Sequence, residues 1–425
     1  MNIISDPNPA LAGTVLSPEA NQAAALATST GVLTIDLDAI VANWRKLEKT
    51  AVPAECAGVV KADAYGCGVG PVATALAAAG CKTFFVATLD EARTLRAALP
   101  QATIYALNGL FQNTGEAYAK IDCKPVIGDL NELAEWDVFC RRSGWNGGAA
   151  IHIDTGMNRL GLTITEAQGI IPRINAGDHG ITLVMSHLVS AELVNNPTNA
   201  RQLIAFREIA SLFTNVPASL SNSSGIYLGP QFQFDIVRPG AALYGVNPTP
   251  EADNPMQPVV ELKARIVQIR HIERGETVGY GGTWTARRHT RLAIVSAGYA
   301  DGYFRAASAN DGTRGAEVVV AGKRCPVAGR ISMDLMAVDI TDLPPNVVRR
   351  GHMVTLIGEG ITVDELAHHF GTIGYEVLTN LGRRYARVHK GGDKIQPVVL
   401  PAAGDTGTAP AVSGKLPDVP APKSI

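Results

Sequence analysis

Lys61 is the residue whose type and position most clearly allow chemistry. It ends an apolar run, Cys56–Val60, and opens a loop of small and glycine-rich residues at 62–70. Burying a lysine ammonium costs several kcal/mol unless the charge is paired or neutralised. Lysines whose pKa is lowered in such places serve in Schiff-base formation and proton transfer. The ordinary alternative is a lysine that ends the strand and extends its ammonium group into solvent. Other residues of the chain must distinguish between these two interpretations.

Eight short apolar runs, separated by segments of helical length, indicate the scaffold around Lys61. The runs are 56–61, 83–87, 103–107, 124–127, 149–154, 181–187, 218–222 and 234–238. Most are continuously apolar, which is typical of strands covered on both faces. The pattern predicts a (β/α)8 TIM-like barrel, with a doubly wound open sheet as the alternative.

A barrel places its functional residues at the carboxyl ends of its strands. Reactive or anion-binding side chains stand at or just after several of the predicted strands. They are Lys61, Arg159, His187, Asn222, Ser223 and Arg238. The loops after strands seven and eight are the usual phosphate site of barrels, and here they contain Ser223 and Gly240.

The pattern changes at about residue 258, where β-branched segments alternate with turn signals and predict a mostly antiparallel β domain. We therefore expect a barrel at 31–257 and a β domain at 258–397, with the run 32–37 as a candidate to pair with the β domain. The segments 1–30 and 398–425 contain too few large apolar residues to offset the entropy cost of folding, and we expect both to be disordered.

Composition narrows the class of protein. The net charge of -2 gives no reason to expect nucleic acid or an anionic membrane as a partner. The first basic residue is Arg45, so no targeting segment is expected, and no apolar run reaches membrane-spanning length. Scattered cysteines without C-x-x-C spacing are typical of reduced thiols and predict a cytoplasmic protein. His368 and His369 are adjacent, which points them apart on a helix, and no metal site is expected.

Seven segments, in order along roughly residues 31–395, closely resemble the motifs of alanine racemases. They are Val59–Gly68, Asp154–Gly161, Asn222–Ser223, Val237–Gly240, Gly279–Trp284, Gly298–Gly302 and Gly329–Asp334. The resemblance implies a barrel-type enzyme that interconverts L-alanine and D-alanine with pyridoxal 5'-phosphate. It also implies a homodimer with composite active sites and a role in supplying D-alanine for peptidoglycan, although the sequence does not separate that role from alanine catabolism.

The resemblance assigns the two bases that racemisation needs, one on each face of the substrate Cα. Lys61 serves one face, and Tyr280 of the partner subunit serves the other. A tyrosine with its ordinary pKa near 10 is a poor base at neutral pH, so it needs support from neighbouring groups. By the same resemblance, His187 and Arg238 are the neighbouring groups that support Tyr280. Arg238, which is always cationic, also disfavours a proton on the cofactor ring nitrogen and so limits side reactions.

The resemblance implies the remaining contacts as well. Arg159 and the backbone at Met333 bind the substrate carboxylate, and Tyr299 from the partner chain narrows the pocket. The phosphate contacts are Tyr65, Ser223, Gly240 and Tyr375. One position departs from the family: His152 stands where many members have a lysine that steadies the arginine corresponding to Arg159. We expect another anion, or His152 itself, to take that place.

Three alternatives remain open at this level. A broader-specificity amino-acid racemase would differ only in a few residues around Tyr299 and Met333. A basic amino-acid decarboxylase of the same barrel superfamily would have an acidic residue where this chain has Arg238. A non-catalytic pyridoxal-phosphate carrier would explain the barrel and Lys61, but not the β domain or Tyr280.

Overall fold

The first described strand precedes the barrel. The computed structural model describes residues 26–176 and 180–392. The tails predicted to be disordered, 1–30 and 398–425, lie outside these residues except for 26–30. Strand β1 (Gly31–Asp36) leads directly into helix α1 (Leu37–Ala51), which begins where the Asp36 carboxylate accepts the N–H of Ala39. A side-chain acceptor at this position satisfies a free N–H of the first helical turn.

Short parallel strands follow in chain order. They are β2 (Glu55–Cys56), β3 (Gly58–Val59), β4 (Thr83–Val86), β5 (Thr103–Ala106), β6 (Cys123–Ile127), β7 (Ala149–His152), β8 (Ile181–Met185), β9 (Ala218–Ser219) and β10 (Ile236–Val237). Strands β3 to β9 form one parallel sheet, and β10 pairs with β2. Backbone hydrogen bonds from Ala57 N–H to Val237 O (3.0 Å) and from Arg238 N–H to Ser221 O (2.9 Å) close the ring. The predicted barrel is confirmed, and the open doubly wound sheet is wrong.

Helices connect successive barrel strands on the outside. They are α3 (Val69–Ala79), α4 (Leu89–Ala98), α5 (Gly115–Lys120), α6 (Leu130–Ser143), α7 (Ile164–Asn175) and α8 (Pro197–Ala210), and α3 is preceded by the short turn α2 (Lys61–Tyr65), which is not a right-handed helix. The barrel interior is filled by a separate apolar cluster drawn from nearly every strand. Its members are Ala57, Val59, Phe85, Tyr105, Val126, Ala150, Leu183, Met185 and Ile236. A packed interior leaves the strand ends as the place for a site.

The second half is built on a closed, mostly antiparallel sheet. Its elements are β11 (Val260–Ile272), β12 (Thr277–Val278), β13 (Trp284–Thr285), β14 (Thr290–Val295), β15 (Glu317–Val320), β16 (Lys323–Ala328), β17 (Met336–Asp339), β18 (Met353–Ile357), α9 (Val363–Phe370), α10 (Gly374–Asn380) and β19 (Ala386–Lys390). The order is β14-β17-β16-β15-β18-β11, and β11 also pairs with β14. The start of β11, Leu262–Arg265, pairs with β18, and the remainder from Ile266 to Ile272 pairs with β14, with a register shift between Ile266 and Gln268 inside this second ladder.

Strand β1 belongs to this second sheet although it precedes the barrel in sequence. It pairs antiparallel with β11 and parallel with β19. Within 26–176 and 180–392, no helix is both long and apolar enough to cross a membrane.

Candidate active site

Lys61 begins a short turn of unusual hand at the carboxyl end of β3. Ala62, Asp63, Ala64 and Tyr65 all have φ between 53° and 55°, the left-handed region. This conformation costs an L-residue roughly 1–2 kcal/mol, so contacts from outside the turn must hold it. Burial lowers the pKa of Lys61, the Arg159 cation lowers it further, and Glu91 opposes both. The amine therefore loses its proton more readily than an exposed lysine does.

A small cradle lies beside this turn. The Ser223 hydroxyl accepts the N–H groups of Gly240 (2.9 Å) and Ala242 (3.2 Å), which leaves its own proton available for a ligand oxygen. A Cβ at residue 240 would lie 2.4 Å from the Tyr65 hydroxyl oxygen, so a glycine here lets that hydroxyl approach the backbone. The Tyr65 ring stands edge-on to the Tyr375 ring, with centroids 6.4 Å apart. Hydroxyls gathered around a glycine at this rim suit a phosphate.

Arg238 is buried at the same rim, and within the part of the chain that the structure describes no carboxylate is among its hydrogen-bond partners. Its guanidinium donates to the carbonyls of Ser186 (2.7 Å) and Leu220 (3.4 Å) and to the Ser219 hydroxyl. One Nη lies 3.5 Å from His187 Nδ1. Because arginine can only donate, His187 Nδ1 must be the acceptor and Nε2 must carry the proton. Burial lowers the pKa of His187 well below its usual range, and the Arg238 cation adds to that effect, so the ring is neutral at pH 7.

Asp154 shapes the loop that carries Arg159. Its carboxylate accepts the N–H groups of Gly156 (2.8 Å), Met157 (2.9 Å) and Asn158 (2.9 Å). Arg159 itself is exposed, and its positive charge lowers the pKa values of Lys61 and His187.

His152, at the end of β7, is buried and neutral. Burial lowers its pKa to about 4, with further lowering by the Arg238 and Arg159 cations and opposition from Asp154. A neutral imidazole carries no charge, so any support that His152 gives Arg159 is not an ion pair, and the expectation that His152 or another anion steadies Arg159 stays a prediction.

The lowered pKa of His152 predicts a pH-dependent loss of stability. Its unfolded-state pKa is near 6.5 and its folded pKa is about 4, so below pH 6.5 the unfolded chain binds a proton that the folded chain excludes. This contribution is fully favourable above pH 6.5 and is lost as the pH falls toward 4. Between pH 7 and 5 the free energy of unfolding should fall about 2 kcal/mol less in His152→Asn than in the unsubstituted chain. Denaturant titrations at both pH values, at fixed protein and cofactor concentrations, measure this difference. Equal losses in both proteins would contradict it.

Tyr280, Tyr299 and Met333 form a second group, on the β domain. Their side chains are 69%, 42% and 52% exposed. Tyr299 N–H donates to Ser332 O (3.2 Å), and Ala300 N–H donates to Met333 O (3.0 Å), so the two loops are joined. Among the described residues of this chain, no hydrogen bond, ion pair or ring contact links these three side chains to Lys61. The structure thus brings the barrel-side residues together with Tyr375 and leaves the other three facing outward.

Several contributing residues were not predicted from the sequence. Tyr244 stacks on Tyr65 with ring centroids 4.6 Å apart and donates to Val59 O (3.0 Å). Asp301 is buried, accepts Gly298 N–H (2.9 Å) and pairs with Arg384 (2.8 Å), which fixes the loop of Tyr299. Glu91 accepts the N–H of the residue after Lys61, at 2.7 Å. Only Glu91 had a recognisable signal, the Thr-x-x-Glu capping pattern that begins at Thr88.

Comparisons with known proteins match both halves of the chain. The family model described as alanine racemase, N-terminal domain, matches residues 35–248, and that of the C-terminal domain matches residues 259–389. An alanine racemase of Methylobacterium nodulans is 52% identical over 85% of this chain and 97% of its own. Two alanine racemases of Agrobacterium fabrum are each 43% identical: a biosynthetic one over 84% of this chain and 92% of its own, and a catabolic one over 89% and 95%. The crystal structure of alanine racemase from Bartonella henselae with covalently bound pyridoxal phosphate has a TM-score of 0.80 and 39% identity, and covers 85% of this chain and all of that one.

Proposed function

The chain belongs to the alanine racemase family, whose members are pyridoxal-phosphate-dependent isomerases, and on this premise we propose that it moves the Cα proton of alanine between Lys61 and Tyr280 of the partner subunit. The observation that carries the proposal is the position of Lys61. Its amine, with a lowered pKa, stands at the barrel rim beside the cradle of Ser223 and Gly240 and the buried Arg238. The family also rules out the decarboxylase and the non-catalytic carrier.

The residues at the rim fit pyridoxal phosphate. Its phosphate would be held by the Tyr65 hydroxyl, which approaches the Gly240 backbone closely, and by Ser223 and Tyr375. Lys61 supplies the amine for the covalent bond, and Arg238 is the cation for the ring nitrogen. When bound, pyridoxal phosphate draws electron density from the substrate Cα, which makes its proton removable.

We propose a homodimer in which each β domain, at 258–397, completes the barrel site, at 31–257, of the other chain. The support is that Tyr280, Tyr299 and Met333 are exposed on loops joined by hydrogen bonds, and that among the described residues none of their side chains has a hydrogen bond, ion pair or ring contact with Lys61 of the same chain. In a two-fold symmetric dimer, the β-domain surface of each chain can contact the barrel rim of the other chain. Both active sites are then completed at the same time.

Substrate binding follows from the same arrangement. Arg159 holds the alanine carboxylate, because a guanidinium binds carboxylates through paired charged hydrogen bonds. The Met333 backbone adds a contact, and Tyr299 limits the space for the side chain. A broader-specificity racemase would keep this chemistry with a wider pocket. Racemisation of a panel of L-amino acids in D2O, with Cα deuterium followed by mass spectrometry, tests both points. We expect alanine to react fastest, and a yellow protein without Cα exchange would overturn the proposed function.

His152 should affect binding more than turnover. His152 is buried, and the positive charges of Arg238 and Arg159 help to keep its ring neutral, so it is electrostatically coupled to the proposed carboxylate-binding arginine but carries no charge itself. We expect His152→Ala to raise KM for alanine, with a smaller change in kcat, and His152→Asn to retain more of the wild-type KM because it keeps a polar side chain there. A large fall in kcat with unchanged KM would contradict this assignment.

We further propose that the enzyme works in the cytoplasm and supplies D-alanine for peptidoglycan. Its six cysteines are all free thiols, which supports a reducing compartment. Both biosynthetic and catabolic relatives match equally well, so a growth experiment must decide the role. Expression in a bacterium that requires D-alanine should restore growth without the supplement. In the source organism, deletion should create that requirement, whereas loss of growth on alanine alone would indicate catabolism.

A further inference from the structure

Glu91 is the carboxylate most closely connected to the start of the left-handed turn. One of its oxygens accepts Ala62 N–H at 2.7 Å, the first peptide N–H after Lys61. The other accepts Ala87 N–H at 2.6 Å and Thr88 N–H at 3.2 Å, at the end of the neighbouring strand and the start of α4. Glu91 therefore ties the backbone of Lys61's loop to the next barrel unit.

The place of Glu91 in its helix makes this tie rigid. It occupies the third position of α4, where it forms a reciprocal capping box with Thr88. Its carboxylate is thus held at both ends, by its own helix and by the preceding strand end. Ala62 is the first of four residues with left-handed φ, a conformation that no glycine in this stretch relieves. Glu91 thus provides a fixed acceptor for the first peptide N–H of this turn.

We propose that Glu91 is a positioning residue for Lys61, which orients the amine by fixing the Ala62 peptide. The inference rests on the proposed role of Lys61. It adds a residue that touches neither substrate nor cofactor and acts only through the backbone. Proton transfer is sensitive to small displacements, so loss of this contact should affect turnover more than substrate binding.

The chain offers a matched control for this proposal. Glu132 occupies the same third position, in α6, and its carboxylate accepts Gly128 N–H at 2.9 Å and, across to the preceding loop, Leu110 N–H at 3.3 Å. Glu132 makes the same kind of contacts as Glu91, two strands further along the barrel. The loop that it contacts carries none of the proposed site residues. Any effect common to Glu91 and Glu132 is a general effect on barrel stability.

The test compares the holoenzymes of Glu91→Gln and Glu132→Gln. A glutamine can accept only through one of its two terminal atoms, so it cannot bind Ala62 and the strand end together. We expect kcat of E91Q to fall on the order of 10²-fold with little change in KM, while E132Q keeps its kcat at a similar thermal stability. E91Q should also bind pyridoxal phosphate more weakly in a spectroscopic titration, whereas E132Q should not.

The pH profile gives a readout that a purely structural role would not move. The groups that act on the Lys61 amine are Arg159, which lowers its pKa, and Glu91, which raises it, while the neighbouring His187 is neutral. In the free holoenzyme Lys61 would be bonded to the cofactor, so its free amine is reported by kcat, and the kcat limb that reports Lys61 should move to lower pH in E91Q and stay in place in E132Q. If E91Q does not fold, Glu91→Asp keeps the charge at the helix start but is too short to reach Ala62, and it should show the fall in kcat without the pH shift.

The outcomes separate this inference from the proposed function. If Lys61→Ala is inactive and E91Q behaves like E132Q in kcat, in cofactor binding and in pH profile, Glu91 has no positioning role. If Lys61→Ala remains active, the proposed role of Lys61 is wrong. The inference about Glu91 is then wrong as well, because it rests on that role. A selective effect of E91Q on all three readouts supports the proposal.

Discussion

Lys61→Ala should reduce racemisation by about 10⁴-fold or more, in both directions. The variant loses the covalent link to the cofactor and one of the two bases in a single change. The measurement is the decay of optical rotation from L-alanine and, separately, from D-alanine, with excess pyridoxal phosphate present. Exchange of the Cα proton with D2O should disappear for the enantiomer whose proton faces residue 61.

Lys124→Ala is the matched control for this variant. Lys124 also lies on a barrel strand, but its ammonium donates to Gly147 O ahead of β7, at the opposite end of the barrel from Lys61. We expect it to keep its turnover. If Lys61→Ala kept more than a small fraction of activity, the assignment of Lys61 as base and cofactor anchor would be wrong.

Tyr280→Phe should lower racemisation by about 10²–10⁴-fold while leaving one half of the chemistry intact. The substitution removes a hydroxyl and keeps the ring, so the 69% exposed side chain can still pack against a partner. In D2O, one enantiomer should still exchange its Cα proton with retention of configuration, through Lys61, and the other should not. Loss of exchange for both enantiomers, or wild-type racemisation, would refute the two-base assignment.

Mixing the two inactive variants decides which chain supplies Tyr280. A dimer of one Lys61→Ala chain and one Tyr280→Phe chain has one site with both bases intact only if each site combines two chains. After dissociation and random reassociation of equal amounts, about a quarter of the sites should recover, because half of the dimers are mixed and each has one good site. No recovery would place both bases in the same chain.

The barrel was predictable because its strands are continuous apolar runs, and burial on both faces leaves little ambiguity in such runs. The ends of the strands were less accurate: the predicted run 181–187 contains Ile181–Met185, and 218–222 contains only Ala218–Ser219. There the chain leaves the ladder so that His187 and Ser223 can face the rim. Local sequence does not show at which residue strand pairing ends when the residues that follow make contacts at the barrel rim.

The left-handed turn after Lys61 was not predictable from local sequence. Ala62–Tyr65 contains no glycine, and its residues would ordinarily adopt the right-handed conformation. The turn is held by groups far away in the chain: Arg387 donates to Gly66 O (3.3 Å), and His389 lies 2.7 Å from Cys67 O. The exposure of Tyr280 was similarly beyond local patterns, and its proposed role in the partner's site came only from the family resemblance.

The position of β1 has a consequence for how the chain is made. Ile35 pairs with Val260, and β1's other neighbour, β19, is the last described strand. At ribosomal speeds of about 5–20 residues per second, β1 waits roughly 10–45 s for its first partner after it is synthesised. The barrel can fold during this interval, while the backbone groups on both edges of β1 are still unpaired. Nascent chains that stall before β11 should therefore be the forms of this protein most prone to aggregate and most dependent on chaperones.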